Sequence, residues 1–408
     1  MRPVPLRFLV LPLLPLPAAA QGPAFQTPGM PILPQPPSPT ADSGQADRFA
    51  SVFNPAFSFI VDAVLDHVDA DRPAQDGFAA ELRTLEIAAQ AWVDPDAWAY
   101  FTGASEDESL AIEEAAIHYV GLGRSTFRAG RFFVDFGKQM QTHVHELRTL
   151  QRPLVLRAYL GEEVKGDGLQ WDHWIPVGDE AALRWSLGAF SSLLPEEAAF
   201  PTADVALEVD ERKQAGDLNW TARLTGFRDV GTNGMLQLGA SARAIPDYTA
   251  VDEADALEQP GLESTVLGLD ATYGRVDDSG ERRTTFGVET LWSRGDTGFD
   301  LDDPDGTPGT GDETLSVLDD TVFGWYAFVD HAWDRFHSAG VQYSTVEIPD
   351  AAGSDVSELE VYYTLWFSEF HRLRFVVGAA ESDLDGDSLT FAVQYTGIVG
   401  AHGHGINW

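Results

Sequence analysis

Apolar and polar residues alternate with a period of two through most of this chain. The segments LEVYYTLWF (359–367), RLRFVVGA (372–379) and LTFAVQYT (389–396) carry apolar or aromatic side chains at every second position. Successive side chains of a β-strand point to opposite faces of its sheet. Each segment therefore forms a strand with one apolar and one polar face, and the chain is predicted to be all-β.

The length of these segments favours a sheet that spans a membrane. The strands predicted along the chain run for about 9–14 residues, whereas strands of soluble proteins average about 5–6 and a tilted transmembrane strand needs about 9–11. Aromatic residues gather beside tight turns in HAWDRFH (331–337) and LWFSEFHR (365–372), as in the aromatic girdles of membrane barrels. Short and long connections also alternate, which predicts a single transmembrane antiparallel β-barrel.

About sixteen strands are expected. They are placed at 55–67, 78–92, 97–104, 110–120, 125–133, 167–176, 182–191, 218–228, 233–243, 262–275, 281–294, 321–333, 335–346, 358–367, 371–380 and 388–398. The segment ADVALEVD (203–210) also alternates, and counting it would give seventeen. Bacterial barrels usually have an even number of strands, so residues 192–217 are assigned to a loop.

The N-terminal region predicts export. Residues 1–20 read as a signal peptide, with the apolar run FLVLPLLPLPAAA (8–20) and cleavage after Ala20. Residues 21–50 are rich in proline and read as a disordered linker, which leaves 51–408 for the barrel. The apolar run is too short for a transmembrane helix. The chain has no cysteine, so disulfides do not stabilise it.

The charge is strongly negative and concentrated in the long loops. The formal net charge of −38 argues against nucleic acid as a partner. Segments 244–261, 295–320, 347–357 and 381–387 together hold twenty-one Asp or Glu and no Lys or Arg. Short turns should face the periplasm and long loops the outside. The acidic loops are expected to serve solubility and mutual repulsion. The alternatives are the capture of divalent ions, bridging to anionic lipid headgroups or the concentration of cations at a pore mouth.

The third long loop, 134–166, differs because its charge is mixed and its alternation is absent. We expect it to fold into the lumen and narrow it. Its predicted constriction residues are Lys138, Arg148, Arg152, Arg157, Glu162, Glu163 and Lys165. The residues predicted to face them from the lumen wall are Glu86, Glu114, His118, Arg223, Asp270, Glu289, Glu360, Arg372 and Arg374. Opposed charges across a narrow channel set ion preference.

The same loop contains the motif HVHE (143–146). His143, His145 and Glu146 are candidate ligands for zinc, which takes three or four nitrogen, sulfur or oxygen ligands. His118, His173 or Glu162 could complete the set, while the alternative is a purely structural loop. His402 and His404 form a second pair near the C-terminus.

Several motifs between residues 85 and 176 occur in a specific order. They are LEIAAQAWVDPDAWAYF, IEEAAIHYVGL, FRAGRFFVDFGKQMQTHVHEL, QRPLV, LGEE and GLQWDHWIP. Together they resemble a family of Gram-negative outer-membrane β-barrel proteins, whose members are described as porin-like or as zinc-regulated TonB-dependent receptors. The resemblance implies an outer-membrane location and a link to zinc.

The sequence carries no catalytic motif such as GxSxG or HExxH, so an enzyme is not expected. The favoured interpretation is a porin-like channel for passive diffusion of small hydrophilic solutes, with a preference for cations. The alternatives are a metal-linked TonB-type uptake receptor and a structural barrel with a closed lumen. No cofactor is required, although zinc or another divalent cation could bind. Expected partners are outer-membrane lipid and lipopolysaccharide, the barrel-assembly machinery through Trp408, and further copies in a homo-trimer.

Overall fold

The computed structural model describes residues 56–106, 109–194, 205–210, 214–252, 257–302, 314–349, 353–368, 370–384 and 386–400. Within these ranges the chain forms sixteen long strands and one strand of three residues, all in one antiparallel sheet. The predicted signal peptide (1–20) and linker (21–50) lie outside the described residues, as do His402, His404 and Trp408.

The strands follow one another around the sheet. They are β1 (Ala56–Ala70), β2 (Gly77–Asp94), β3 (Ala97–Glu106), β4 (Ser109–Leu122), β5 (Ser125–Phe133), β6 (Lys165–Val177), β7 (Ala181–Phe190), β8 (Ala206–Glu208), β9 (Asn219–Val230), β10 (Gly234–Asp252), β11 (Leu257–Val276), β12 (Arg283–Asp302), β13 (Thr314–Ala332), β14 (His337–Glu347), β15 (Asp355–Ser368), β16 (His371–Ser382) and β17 (Ser388–Gly400).

The sheet closes on itself. Strand β1 pairs with β2 on one side and with β17 on the other, and the β1–β17 register runs from Ser58 opposite Gly400 to Ala70 opposite Ser388. Closure removes the unpaired edges that lipid would not tolerate. The prediction of a sixteen-stranded transmembrane barrel is confirmed.

Side chains of the wall alternate between an outer face toward lipid and an inner face toward the lumen. Strand β16 pairs with β15 and β17. Its residues Phe375 and Val377 are each 44% exposed on the outer face, whereas Arg374, between them and Leu373, points inward and is 2% exposed. A similar alternation between exposed apolar and buried polar residues runs along β15 and β17. The inner wall is therefore lined with polar and charged groups.

Two of the predicted acidic loops are shorter than expected. The sequence predicts loops at 244–261 and 295–320, yet β10 continues to Asp252, and β12 and β13 pair as far as Asp302 and Thr314. A hydrogen-bonded ladder can extend beyond the membrane, where lipid no longer imposes apolar residues on one face. Alternation therefore marks the part of a strand that spans the membrane. It misses the part that continues outside the membrane, which is called the outer arm below.

The segment 192–217 adds no strand to the wall. Strand β7 pairs directly with β9, and the three residues of β8 pair with the outer arm of β10 at Thr249–Val251. The loop assignment therefore gives the correct strand number, with a short strand inside it. None of the helices in the described ranges combines the length and apolar character needed to cross a membrane.

Candidate functional site

The connection between β5 and β6, residues 134–164, lies inside the barrel and is called the constriction loop below. It contains a 3-10 helix (Val144–Glu146) and the α-helix α1 (Leu154–Leu160). Its buried apolar residues, among them Phe136, Met140 and Leu156, pack with wall residues such as Val266 and Leu291. The predicted inward fold of this loop is thus present. Lys165, which was placed in the loop, is the first residue of β6.

The loop enters the lumen beside β10 and β12. Gly137 has a φ of 56°, and its amide donates to Ser241 Oγ on β10 at 3.0 Å. The next amide, that of Lys138, donates to Glu289 Oε2 on β12 at 3.1 Å. A positive φ favours glycine, and this turn aims two consecutive amides at the wall.

Arginines of β16 hold the middle of the loop. Arg374 donates to the carbonyl oxygens of Leu147 and Thr149, at 2.6 and 2.9 Å. Arg372 donates to the carbonyl of His145. The amide of Leu150 donates to Glu360 Oε1 on β15 at 2.6 Å. These bonds satisfy backbone groups that would otherwise be buried without partners.

Helix α1 is attached to β14 and β15. The Val155 amide donates to Ser344 Oγ at 3.2 Å, and Arg157 donates to Glu358 Oε1 at 2.7 Å. The Tyr159 hydroxyl donates to the carbonyl of Glu347 at 2.7 Å. Both ends of the loop and its middle are therefore bound to the wall.

The loop spans the full width of the lumen. Asp135, at its start, is held by Arg184 and by Ser186 Oγ (2.8 Å) on β7. Strand β7 and strand β16, which carries Arg372 and Arg374, are eight strands apart in either direction around the sixteen-stranded wall. Burial raises the pKa of Asp135, but Arg184 and Arg223 outweigh burial and bring its pKa below the ordinary value.

One predicted constriction residue shapes the loop from within. Arg152 is buried and donates to the carbonyls of Gln139 (2.6 Å) and Thr142 (2.9 Å), and it lies 3.6 Å from Glu163. Its guanidinium joins the two arms of the loop. Burial lowers its pKa. Arg152 therefore holds the loop backbone together.

The other predicted constriction residues occupy varied places. Lys138 Nζ lies 3.4 Å from Gln237 Oε1, and burial together with the charge of Arg148 lowers the pKa of Lys138 to about 7. Arg148 lies over the ring of Phe328, 4.6 Å from its centroid. Glu162 is exposed. Lys165 pairs with Glu163 at 3.5 Å.

A cluster of carboxylates surrounds His143 where the loop passes β2 and β4. His143 Nδ1 lies 3.3 Å from Glu113 Oε2 and 3.5 Å from Glu86 Oε2, and His143 Nε2 lies 3.3 Å from Glu114 Oε2. Burial lowers the pKa of His143, but Glu113, Glu114 and Glu86 outweigh burial and raise its pKa well above the ordinary value.

The nine predicted wall residues lie on the inner side of the barrel. Glu86, Glu114, His118, Arg223, Asp270, Glu289, Arg372 and Arg374 are buried there, and Glu360 is half-buried. They fall into separate groups. Arg223 pairs with Asp270 at 2.7 Å, while His118 stacks on Trp98 with 4.6 Å between ring centroids.

The predicted metal ligands are not all brought together. His143 joins Glu86 and Glu113, and these three are the set that the described residues offer within 4.8 Å of one another. His145 Nδ1 lies 3.2 Å from Glu86 Oε2. Glu146 acts electrostatically on Arg372. Of the residues considered for completing the set, His173 Nδ1 lies 2.8 Å from Ser125 Oγ, and His118 and Glu162 are placed as described above.

Sequence reasoning missed Glu113. Strict alternation places it on the lipid face, opposite to Glu114, but a β-bulge leaves it without a partner on β3. Thr102 is opposite Glu114 and Gly103 is opposite Ile112. A bulge turns an extra residue toward the face of its neighbour, so both glutamates are buried inside. The doublet of charged residues in a membrane strand is the signal that could have revealed the bulge.

Comparisons with known proteins support the barrel fold. No protein-family profile matches the chain. An uncharacterized protein of Aquifex aeolicus is 26% identical over 340 residues, which cover 79% of this chain and 68% of that protein. The anion-selective porin of Comamonas acidovorans superimposes with a TM-score of 0.52 at 11% identity, covering 85% of this chain and 99% of the porin. The outer-membrane channel DcaP of Acinetobacter baumannii also gives 0.52, at 10% identity, with 85% and 96% covered.

Proposed function

We propose that this chain is a porin-like channel of a Gram-negative outer membrane, through which small hydrophilic solutes diffuse passively. The observation that carries the proposal is the constriction loop, which crosses a sixteen-stranded barrel whose inner wall is polar. Barrels of 16–18 strands are wide enough for an aqueous channel. The structural neighbours from Comamonas acidovorans and Acinetobacter baumannii are named as a porin and as an outer-membrane channel. Lipid, lipopolysaccharide and further copies in a trimer would surround the outer face.

Selection would depend on size and on the field across the lumen. The carboxylates of Glu86, Glu113 and Glu114 lie on β2 and β4, while the guanidinium groups of Arg372 and Arg374 lie on β16. Charges of opposite sign on different parts of the wall produce a transverse field that acts on passing ions. Solutes would be filtered without a chemical step.

The acidic end of the barrel supports a preference for cations. Asp319 and Asp320 on β13 and Glu258 on β11 are exposed on the outer arms of these strands. Exposed charges act over a Debye length of about 8 Å at physiological ionic strength. A rim of carboxylates would raise the local concentration of cations at the entrance.

Two other functions are compatible with a barrel in the outer membrane. The first is a structural barrel whose lumen is closed by the constriction loop. It is favoured because the loop is hydrogen-bonded to many wall strands, among them β2, β7, β10, β12, β14, β15 and β16. A TonB-type uptake receptor fits less well, because such transporters have plugged barrels of 22 strands. The predicted link to zinc depends on a separate set of contacts, between the loop and strands β2 and β4.

The test is single-channel conductance of the refolded protein in a planar bilayer under a KCl gradient. Steady openings with a reversal potential of the sign set by K⁺ are expected. The triple variant Arg148→Ala, Arg152→Ala and Arg157→Ala should change conductance or selectivity, whereas Arg282→Ala, in an exposed turn, should not. If the protein is shown to be inserted and the bilayer still passes no current, the channel function is rejected and the closed barrel is favoured.

A further inference from the structure

We propose that Glu86, Glu113 and His143 form a binding site for a divalent cation of the zinc class. The three residues come from β2, β4 and the constriction loop, so the site exists only when the loop is folded against the wall. Glu113 takes part because the bulge in β4 turns its side chain inward. This site shares only His143 with the ligand set expected from the HVHE motif.

The spacing of the donor atoms suits a tetrahedral ion. His143 Nδ1 lies 3.3 Å from Glu113 Oε2 and 3.5 Å from Glu86 Oε2. Zinc bonds to nitrogen and oxygen are about 2.0–2.2 Å long, which places two ligands of one tetrahedron about 3.3–3.6 Å apart. An ion could therefore enter between these atoms with little movement of the side chains.

Two of the donor atoms are buried and have no well-directed hydrogen bond. They are Glu113 Oε2 and His143 Nδ1, which face each other across the 3.3 Å of an ion pair. The Glu113 side chain is only 6% exposed. A buried carboxylate oxygen that accepts no hydrogen bond is costly, and coordination of a cation would satisfy it together with the imidazole nitrogen.

Glu114 prepares the imidazole for this role. Its Oε1 accepts from the amide of Phe133 and from the hydroxyl of Tyr100, both at 3.1 Å. Its Oε2 lies 3.3 Å from His143 Nε2 and can accept the Nε2 proton. A carboxylate on one ring nitrogen fixes the tautomer in which the other nitrogen binds a metal. Nδ1, which faces Glu86 and Glu113, is that nitrogen, and an ion that binds there would displace the Nδ1 proton.

The ligand set also indicates which cation is suitable. Calcium and magnesium prefer sites made of oxygen ligands alone, whereas imidazole suits zinc and neighbouring transition metals. Three protein ligands leave a fourth position for water or solute. The His143 side chain is 15% exposed, so the ion would be reached from the lumen.

A bound ion would connect the constriction loop to β2 and β4. The effect of this connection on ion flow rests on the proposed channel function, whereas binding itself does not. Two measurements therefore separate the two proposals: calorimetric titration of the detergent-refolded, untagged full-length chain with Zn²⁺, and conductance with and without Zn²⁺. Binding in a chain that never conducts would remove the channel and leave the site.

The titration should give one Zn²⁺ per chain, and Co²⁺ should give the visible absorption of a tetrahedral ion. Glu113→Gln and His143→Ala should each weaken binding at least about 100-fold, and Glu114→Gln about 10–100-fold. His173→Ala and the double variant His402→Ala, His404→Ala should bind as the wild type does. A heat-modifiable band on SDS gels shows that each variant has folded. Absence of Zn²⁺ binding by the wild type, or undiminished binding by folded His143→Ala, would overturn the proposal.

Discussion

Glu113 and Glu114 are neighbours in the chain, yet both carboxylates point into the lumen. Regular pairing of β3 with β4 would have sent one of them into lipid, and the bulge at Glu113 on β4, opposite Gly103 and Thr102, prevents this. Deleting Glu113 should restore regular pairing, because Ile112 would then precede Glu114 opposite Gly103 and Thr102. We expect a folded, heat-modifiable barrel that no longer binds Zn²⁺. A barrel that fails to fold would mean that the bulge itself is needed for assembly.

The turn at Gly137 should not accept a side chain. A Cβ atom there would lie 1.8 Å from Glu289 Oε1, and Glu289 cannot move freely because it accepts hydrogen bonds from Lys138 N and from the Tyr326 hydroxyl. Gly137→Ala should lower the free energy of unfolding by about 2–4 kcal/mol, as measured in urea.

The matched control is Gly123→Ala. Gly123 has a similar φ of 66°, but a Cβ atom there meets nothing within 4 Å. This variant should lose only the cost of the left-handed backbone, about 1–2 kcal/mol. Equal losses in the two variants would show that the contact between the loop and Glu289 contributes nothing.

Arg374 should control the mobility of the constriction loop. It donates to two loop carbonyls, at 2.6 and 2.9 Å, and hydrogen bonds to charged groups contribute about 1.5–3 kcal/mol each. Arg374→Ala should loosen the loop and increase current fluctuations in single-channel recordings. Arg282→Ala serves as the control, since its side chain is exposed in a turn. Quiet recordings from both variants would contradict this role.

Ion selectivity should change with pH near neutrality through Lys138. Burial and Arg148 lower its pKa to about 7, so the amine is charged below this pH and neutral above it. The preference for cations should rise between pH 6 and pH 8, on the order of twofold, and Lys138→Met should reduce the change in reversal potential.

The sign of the stability effect follows from the same pKa. Because the folded-state pKa of Lys138 lies below its ordinary value of 10.5, the folded state binds fewer protons than the unfolded state between these two values. Its contribution to stability therefore rises with pH across this window and is lost as the pH falls through about 7. Unfolding by urea at pH 7 and pH 10 measures it. A wild-type stability that does not rise between these pH values relative to that of Lys138→Met would contradict it.

The orientation of the wall can be tested on the lipid side. Leu269 on β11 is 53% exposed on the outer face. Replacing it with arginine near the middle of the bilayer should cost about 2–4 kcal/mol, whereas Leu269→Met should be nearly neutral. Urea unfolding in lipid vesicles measures both. A Leu269→Arg variant as stable as the wild type would mean that this face does not contact lipid.

The sequence predicts the wall far better than it predicts the contacts inside. Strand positions follow from the requirement that lipid faces apolar side chains, and this requirement produces the alternation seen from β1 to β17. It no longer applies to the outer arm of β12, so the ladder from Asp296 to Asp302 was read as loop.

The candidate site could be predicted only in part. His143 stood out because of its neighbour His145, but its partner Glu113 depends on a bulge that breaks alternation. Arg152 resembled a pore-lining cation, and only the fold shows that its guanidinium is used for the carbonyls of Gln139 and Thr142. Contacts of this kind, made by a loop with the wall or with itself, leave no periodic signal in the sequence.

The width of the constriction loop has a mechanical consequence. Its start is fixed to β7 through Asp135 and its middle to β16 through Arg372 and Arg374, on opposite sides of the wall. A hollow cylinder of strands flattens easily into an ellipse, but a strut across its diameter resists flattening. Lateral pressure in the membrane would therefore be carried partly by this loop, and any squeezing of the barrel along that axis would be transmitted to the passage beside it.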